Sequence, residues 1–222
     1  MKDEKTLGIL LKKIMLANDD ALLEFFTDQW GTIVILAPKF SKSKKRAEID
    51  FFRLLELNIF QGRKSKRLKE AQTLTLFPGF TKSYEASEQG YEWLQRIKKN
   101  FPEEKSASQD FFKELVQIFH HYEEETSLLL DVFLRLKLLN TSGLIPRFDQ
   151  VRGDTYFDPI KGQFFETATP ATIFLPNLTR QMLEFFRRSN LAELLAKQDK
   201  LPLDDLPDLQ NLMEQIENYH QG

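Results

Sequence analysis

The dipeptide Pro78-Gly79 separates two textures, and that change limits the available folds more than any other feature. Proline removes a backbone donor and glycine frees the chain, so the pair ends whatever element precedes it. Ahead of it, apolar runs alternate with turn residues. Leu7–Ala17 and Ala21–Thr27 flank Asn18-Asp19-Asp20, a turn sequence. Gln29-Trp30-Gly31 forms a second turn before the β-branched run in Thr32–Ala37. By periodicity Ile49–Phe60 suits either a strand or a helix; Gly62 ends it, and Ala71–Phe77 alternates like a strand. Five short strands in about 75 residues predict a small closed barrel.

After the break the spacing becomes helical. Helices are predicted over Ser83–Asn100, which ends before Pro102, and over Gln109–Tyr122. Ser127–Asn140 is apolar on nearly every side, the mark of a buried central helix, and carries Asp131 and Arg135 at the i, i+4 spacing of an internal ion pair. Gly143 and Pro146 stop it. "TYFDPIKGQFF" predicts a hairpin turning at Pro159–Gly162, with Tyr156, Phe157, Phe164 and Phe165 as packing anchors. Helices then run from Asn177 to Arg188, to about Lys197, and from Pro207 or Asp208 onward. The expected fold class is α+β: a five-stranded barrel over residues 1–80, then a helical domain over 81–222 with a small hairpin insertion at 147–170. Twenty Phe in 222 residues supply an aromatic core for one large or two small domains.

The net charge of −2 hides an asymmetry. Residues 1–82 hold 16 basic and 10 acidic residues, net +6; the remainder holds 15 and 23, net −8. Pro38–Gln72 alone carries eleven Lys or Arg against four acids. Such a split points either to a basic module facing a polyanion or to charge clustered on a solvated face. Single-strand binding by a small barrel needs cations along a groove and aromatics for bases. The cations are Lys39, Lys42, Lys44, Lys45 and Arg46, with Arg63, Lys64, Lys66, Arg67 and Lys69. Trp30 is read as core, while Phe40 suits stacking or packing equally.

Enzyme signatures are missing: no G-x-S-x-G, P-loop, G-x-G-x-x-G or H-E-x-x-H. Absence of Cys removes disulfides, thiolate zinc sites and Cys nucleophiles. His120-His121 point about 100° apart on a helix and share a metal poorly. A non-enzyme without cofactor or metal is expected. No apolar stretch reaches signal-peptide or membrane-span length, so the expected location is the cytoplasm.

An ordered series of segments resembles the RecO family of recombination mediators. "LGILLKKIMLANDDALLEFFTDQWGTIVILAPKFSKSKKR" is similar to the family's opening, "FFRLLELNIFQGR" and "LKEAQTLTLFPGF" to its next strands and helix entry. "LLLDVFLRLKLLNTSGLIPRFD" is similar to its central helix and exit, and "FLPNLTRQMLEFFRR" to its late helix. Two departures stand out. Arg147–Thr169 has none of the four cysteines of the family's zinc module, and Lys39-Phe40 replaces a Gly-containing turn. The resemblance implies an OB-fold followed by a helical domain. It implies binding of single- and double-stranded DNA, annealing of complementary strands and help in loading RecA onto coated single strands. RecR and the acidic C-terminal tail of single-stranded DNA-binding protein are the implied partners, with the RecA filament reached indirectly. On this chain Arg180, Arg187 and Arg188 with Phe185 and Phe186 are the candidate seat for the acidic tail, against the reading that they are core and helix-capping residues. A protein adaptor whose basic loops bind an acidic partner without DNA is the alternative.

Overall fold

A computed structural model describes residues 2–62, 65–102, 109–123, 126–145, 147–148, 151–159 and 161–219. Two compact units divide the chain, residues 1–124 and 125–222. The first opens with β1 (Lys2–Met15), β2 (Ala21–Thr27) and β3 (Gly31–Ala37). A short helix, α1 (Lys45–Glu48), leads to β4 (Arg53–Gln61) and β5 (Lys66–Leu76). The strands close into a barrel in the order β1-β2-β3-β5-β4, antiparallel except where β3 meets β5. This is the OB-fold arrangement. β1 serves two partners: its first half pairs with β4, from Lys2↔Gln61 to Ile9↔Leu54, and its second with β2, from Gly8↔Thr27 to Met15↔Ala21. A register shift between Leu10 and Lys12 bends it from one to the other.

Period-two alternation sorts the strands' faces. Leu10, Leu23, Phe25, Ile33, Ile35, Leu55, Leu57 and Ile59 fill the barrel. Outside, α2 (Tyr84–Asn100) and α3 (Gln109–His120) belong to the same unit. Ser83 caps α2, its hydroxyl accepting the Ala86 N–H at 3.1 Å. The outward Phe26 is fully buried because its ring lies 5.0 Å from Phe101 and 5.7 Å from Phe112. Gly90 lets α2 approach: a Cβ there would stand 2.4 Å from the Phe52 ring. The unit therefore continues past the strand-to-helix break at Pro78-Gly79, since sheet and helices share buried aromatic surface.

In the second unit α4 (Ser127–Thr141) has ten buried residues spread around its circumference. Asp131 and Arg135 meet at 2.8 Å as the spacing predicts. Against α4 pack α5 (Asn177–Arg188) and α7 (Leu206–Tyr219), with α6 (Leu191–Lys197) between them in sequence. The hairpin forms from β6 (Thr155–Asp158) and β7 (Gln163–Phe165), Gly162 taking φ 63° at the turn. The fully buried Phe157 lies 5.3 Å from Phe164 and 6.5 Å from Phe148. Tyr156 instead meets Phe174 on a third strand, β8 (Ile173–Leu175), too short to show periodicity. No helix among the described residues is long and apolar enough to cross a membrane.

Candidate nucleic-acid interface

β5 begins earlier than alternation alone suggests, inside the second basic cluster. Lys66, Arg67 and Lys69 are therefore strand residues, not loop residues. A register shift between Asn58 and Ile59 of β4 leaves Lys69 extra between Leu68 and Glu70, so both Lys69 and Glu70 turn outward while Leu68 stays in the core. β3 closes on this strand through Ile35↔Lys66 and Leu36↔Arg67. The chain then leaves β3 at Pro38 and carries the first basic cluster along β5. There α1 is pinned by the Thr73 N–H, which donates to the Glu48 carboxylate at 3.0 Å. That hydrogen bond, then the Thr73 hydroxyl, hold the Glu48 carboxyl below its ordinary value. Two clusters more than a dozen residues apart in sequence thus border one strand.

The β1–β2 turn locks onto the same loop. Lys42 Nζ lies 2.5 Å from Asp19, whose hydrogen bond and charge raise the lysine's pKa. Asp20 Oδ1 accepts the Lys39 N–H at 2.8 Å. Lys39 itself is left-handed, at φ 51°, the conformation a glycine would favour there. The Asp20 bond offsets part of that strain.

Burial and pairing sort the predicted cations into three groups. Lys39, Lys44, Arg46 and Arg67 are exposed and Lys66 is half-buried; the charged end of none of them has an acidic partner among the described residues. Lys42 is tied to Asp19 and Lys69 to Asp3, each at 2.5 Å. Arg63, Lys64 and the Lys45 side chain lie outside the described residues.

Residues 1–77 match the family described as recombination protein O, N terminal. Over these residues the chain is similar to the RecO family. The DNA repair protein RecO of Trichodesmium erythraeum is 33% identical over 81 residues, covering 36% of this chain and 28% of that protein. The protein of the same name from Gloeothece citriformis is 31% identical over 83 residues, 36% of this chain and 29% of its own. A Synechocystis relative, also named DNA repair protein RecO, is 30% identical over 77 residues. Each match thus spans less than a third of the relative's length.

Packing settles the two aromatics named from the sequence. Phe40 is 1% exposed and packs in the barrel core, so it presents no face to a base. Trp30 packs against the same core, as expected. The aromatic at the basic side is Phe60, opposite Arg67 in the β4–β5 pairing, with Lys69 Nζ 5.5 Å from its ring centroid. Its outward direction follows from the inward set Leu55, Leu57 and Ile59 once a strand is assumed. The strand-or-helix ambiguity of Ile49–Phe60 concealed that signal.

In the second unit the five α5 residues are not one surface. Arg180 is 8% exposed, donating to the Phe148 carbonyl at 2.6 Å and to Asn177 Oδ1 at 2.5 Å, and Phe186 is fully buried. Phe185 is half-buried. Arg187 and Arg188 both bond Glu184, the first through Nε at 2.8 Å and Nη2 at 2.6 Å. Burial pushes the Glu184 carboxyl up, but those two guanidiniums outweigh it and hold it below its ordinary value. Helical spacing placed Arg180 and Arg187 on one face, but only packing shows which part of that face is covered. Among the described residues no group of three His, Cys, Asp or Glu is placed to hold a metal.

Proposed function

We propose that the chain binds DNA through the β3–β5 side of its barrel and acts as a recombination mediator in recombinational DNA repair. The observation that carries this is the set of five cations, Lys39, Lys44, Arg46, Lys66 and Arg67, on or beside one strand of an OB-fold, whose charged ends have no acidic partner among the described residues. The family of the N-terminal domain and the repair names of its relatives supply the biological setting. Single and double strands both present the phosphates such cations neutralise. Annealing of complementary strands and assistance to RecA loading are the activities proposed, with RecR and the acidic tail of single-stranded DNA-binding protein as partners. For that tail the available groups are Phe185, Arg187 and Arg188, and an acidic peptide must displace Glu184 to reach the two arginines. The proposed protein is a cytoplasmic non-enzyme.

The test is binding of random-sequence oligonucleotides across a salt series, followed by annealing of complementary strands bare and coated. Binding that weakens linearly in log salt, with faster annealing, is the expected result. Salt-independent or absent DNA binding, together with capture of an acidic protein, would replace this reading by that of an adaptor.

A further inference from the structure

The barrel's register lines up an outer row that crosses it: Ile14↔Leu22, Leu22↔Leu36, Leu36↔Arg67 and Arg67↔Phe60. Three aliphatic side chains lead to a guanidinium and then an aromatic ring. Beside the last two lies a depression of about 410 Å³ lined by Pro38, Phe60, Arg67, Leu68 and Lys69. That size is at the lower end for small-ligand sites, about 300–1,000 Å³. We propose that this depression, walled by Pro38 and Phe60, floored by the β5 backbone at Leu68 and rimmed by Arg67 and Lys69, receives one unpaired nucleobase of a bound single strand, stacked on Phe60.

Three features favour that occupant. The walls include the half-buried Phe60 ring, whose face the Lys69 ammonium covers at 5.5 Å from the centroid and an incoming base would take over. Lys69 is neutralised by Asp3 at 2.5 Å, so it closes the rim without demanding a further anion. The Arg67 guanidinium and the neighbouring Lys39 ammonium have no acid among the described residues and stand where the flanking phosphates would run. An apolar cleft beside unmatched cations fits a molecule with a flat apolar part and an anionic chain. A duplex keeps its bases stacked inside and cannot fill the cleft without unpairing. The site therefore distinguishes single strands from duplex, which the cations alone do not.

The inference rests on the DNA-binding reading, and the experiment separates the two. Affinities of wild type, Phe60→Leu and Phe60→Tyr are measured for a single-stranded oligonucleotide, the same strand with abasic positions, and a duplex, each over a salt series. Loss of one stacked base lowers affinity by about tenfold. Phe60→Leu should show that loss for the single strand only, with its salt slope and duplex affinity unchanged. Phe60→Tyr should bind as wild type does. Wild-type protein should lose a similar factor on the abasic strand, a comparison that needs no variant to fold. Equal affinity for intact and abasic strands, or equal losses on single strand and duplex, would overturn the base pocket while leaving the DNA reading intact. Absence of salt-dependent binding by wild type would overturn both.

Discussion

Arg135 in the helical unit and Arg67 in the barrel carry the same guanidinium in opposite circumstances. Arg135 is 3% exposed and touches three carboxylates: Asp131 at 2.8 Å, Glu214 at 3.1 Å and Glu217 at 3.3 Å. Gln210 adds a hydrogen bond to Asp131 at 3.0 Å, so the cluster ties α4 to α7. Arg67 is exposed on β5 and has no acid among the described residues. Removing an ion from water costs several kcal/mol even after relaxation, so a buried cation persists only with counter-charges supplied by the fold. A solvated one carries no such requirement and stays available to an external anion. The contrast separates charge that holds the structure from charge that serves a ligand, which a residue count over either half of the chain does not.

The largest effect expected is at the buried cluster. Asp131→Ala takes away Arg135's closest partner but leaves Glu214 and Glu217, and should destabilise the protein by about 1–3 kcal/mol in denaturant unfolding. The double change Asp131→Leu, Arg135→Met should recover much of that loss. A loss under 1 kcal/mol for Asp131→Ala would erase the distinction drawn above. Next comes the triple variant Lys44→Ala, Arg46→Ala, Arg67→Ala. Each phosphate contact contributes about −0.7 to the log–log salt slope for single strands, so the slope should flatten by about 2. Stability should stay within about 0.5 kcal/mol of wild type, as for exposed groups without partners. An unchanged slope would move the DNA site elsewhere on the molecule.

A smaller effect belongs to Glu184. Its folded pKa lies below the ordinary value of 4.5, so the stability it contributes is present above that value and is lost as pH falls through the folded pKa. Glu184→Gln should therefore lower stability at neutral pH and remove part of the decline seen below about pH 4.5. Identical acid-range slopes for variant and wild type would count against the Arg187–Glu184–Arg188 arrangement. The smallest change is Lys42→Ala. This lysine is exposed, and its pairing with Asp19 should leave the melting temperature unmoved. Freeing the Asp19 charge beside Lys39 should weaken DNA binding slightly; tighter binding would place the phosphates away from this loop.

Local interactions were legible in the chain and long-range ones were not. Asn18-Asp19-Asp20 marked the first turn, and β2 runs over the same residues, Ala21–Thr27, that the apolar run suggested. Helices α2, α4 and α5 match the predicted spans to within a residue at each end, and Ser83 caps the first. The basic stretch Pro38–Gln72 was visible, but which of its members keep an acidic partner was not, because Asp3 and Asp19 reach Lys69 and Lys42 from segments distant in sequence. Phe40 and Phe60 each stand beside basic clusters in sequence, yet one is core and the other lines the proposed pocket.

The amino-acid sequence alone determined most of the strands and helices, the break between them, the basic character of the barrel, and the i, i+4 pair Asp131–Arg135. Each of these depends on residues within a turn or two of one another, where the backbone period sets which side chains meet. Tertiary structure alone decided that both basic clusters border β5 and that Phe26 is covered by α3 and Phe101. It also decided that Arg180 is buried while Arg67 is not. These follow from register and packing between distant segments, and a one-residue slip in register would turn every side chain of a strand to its other face.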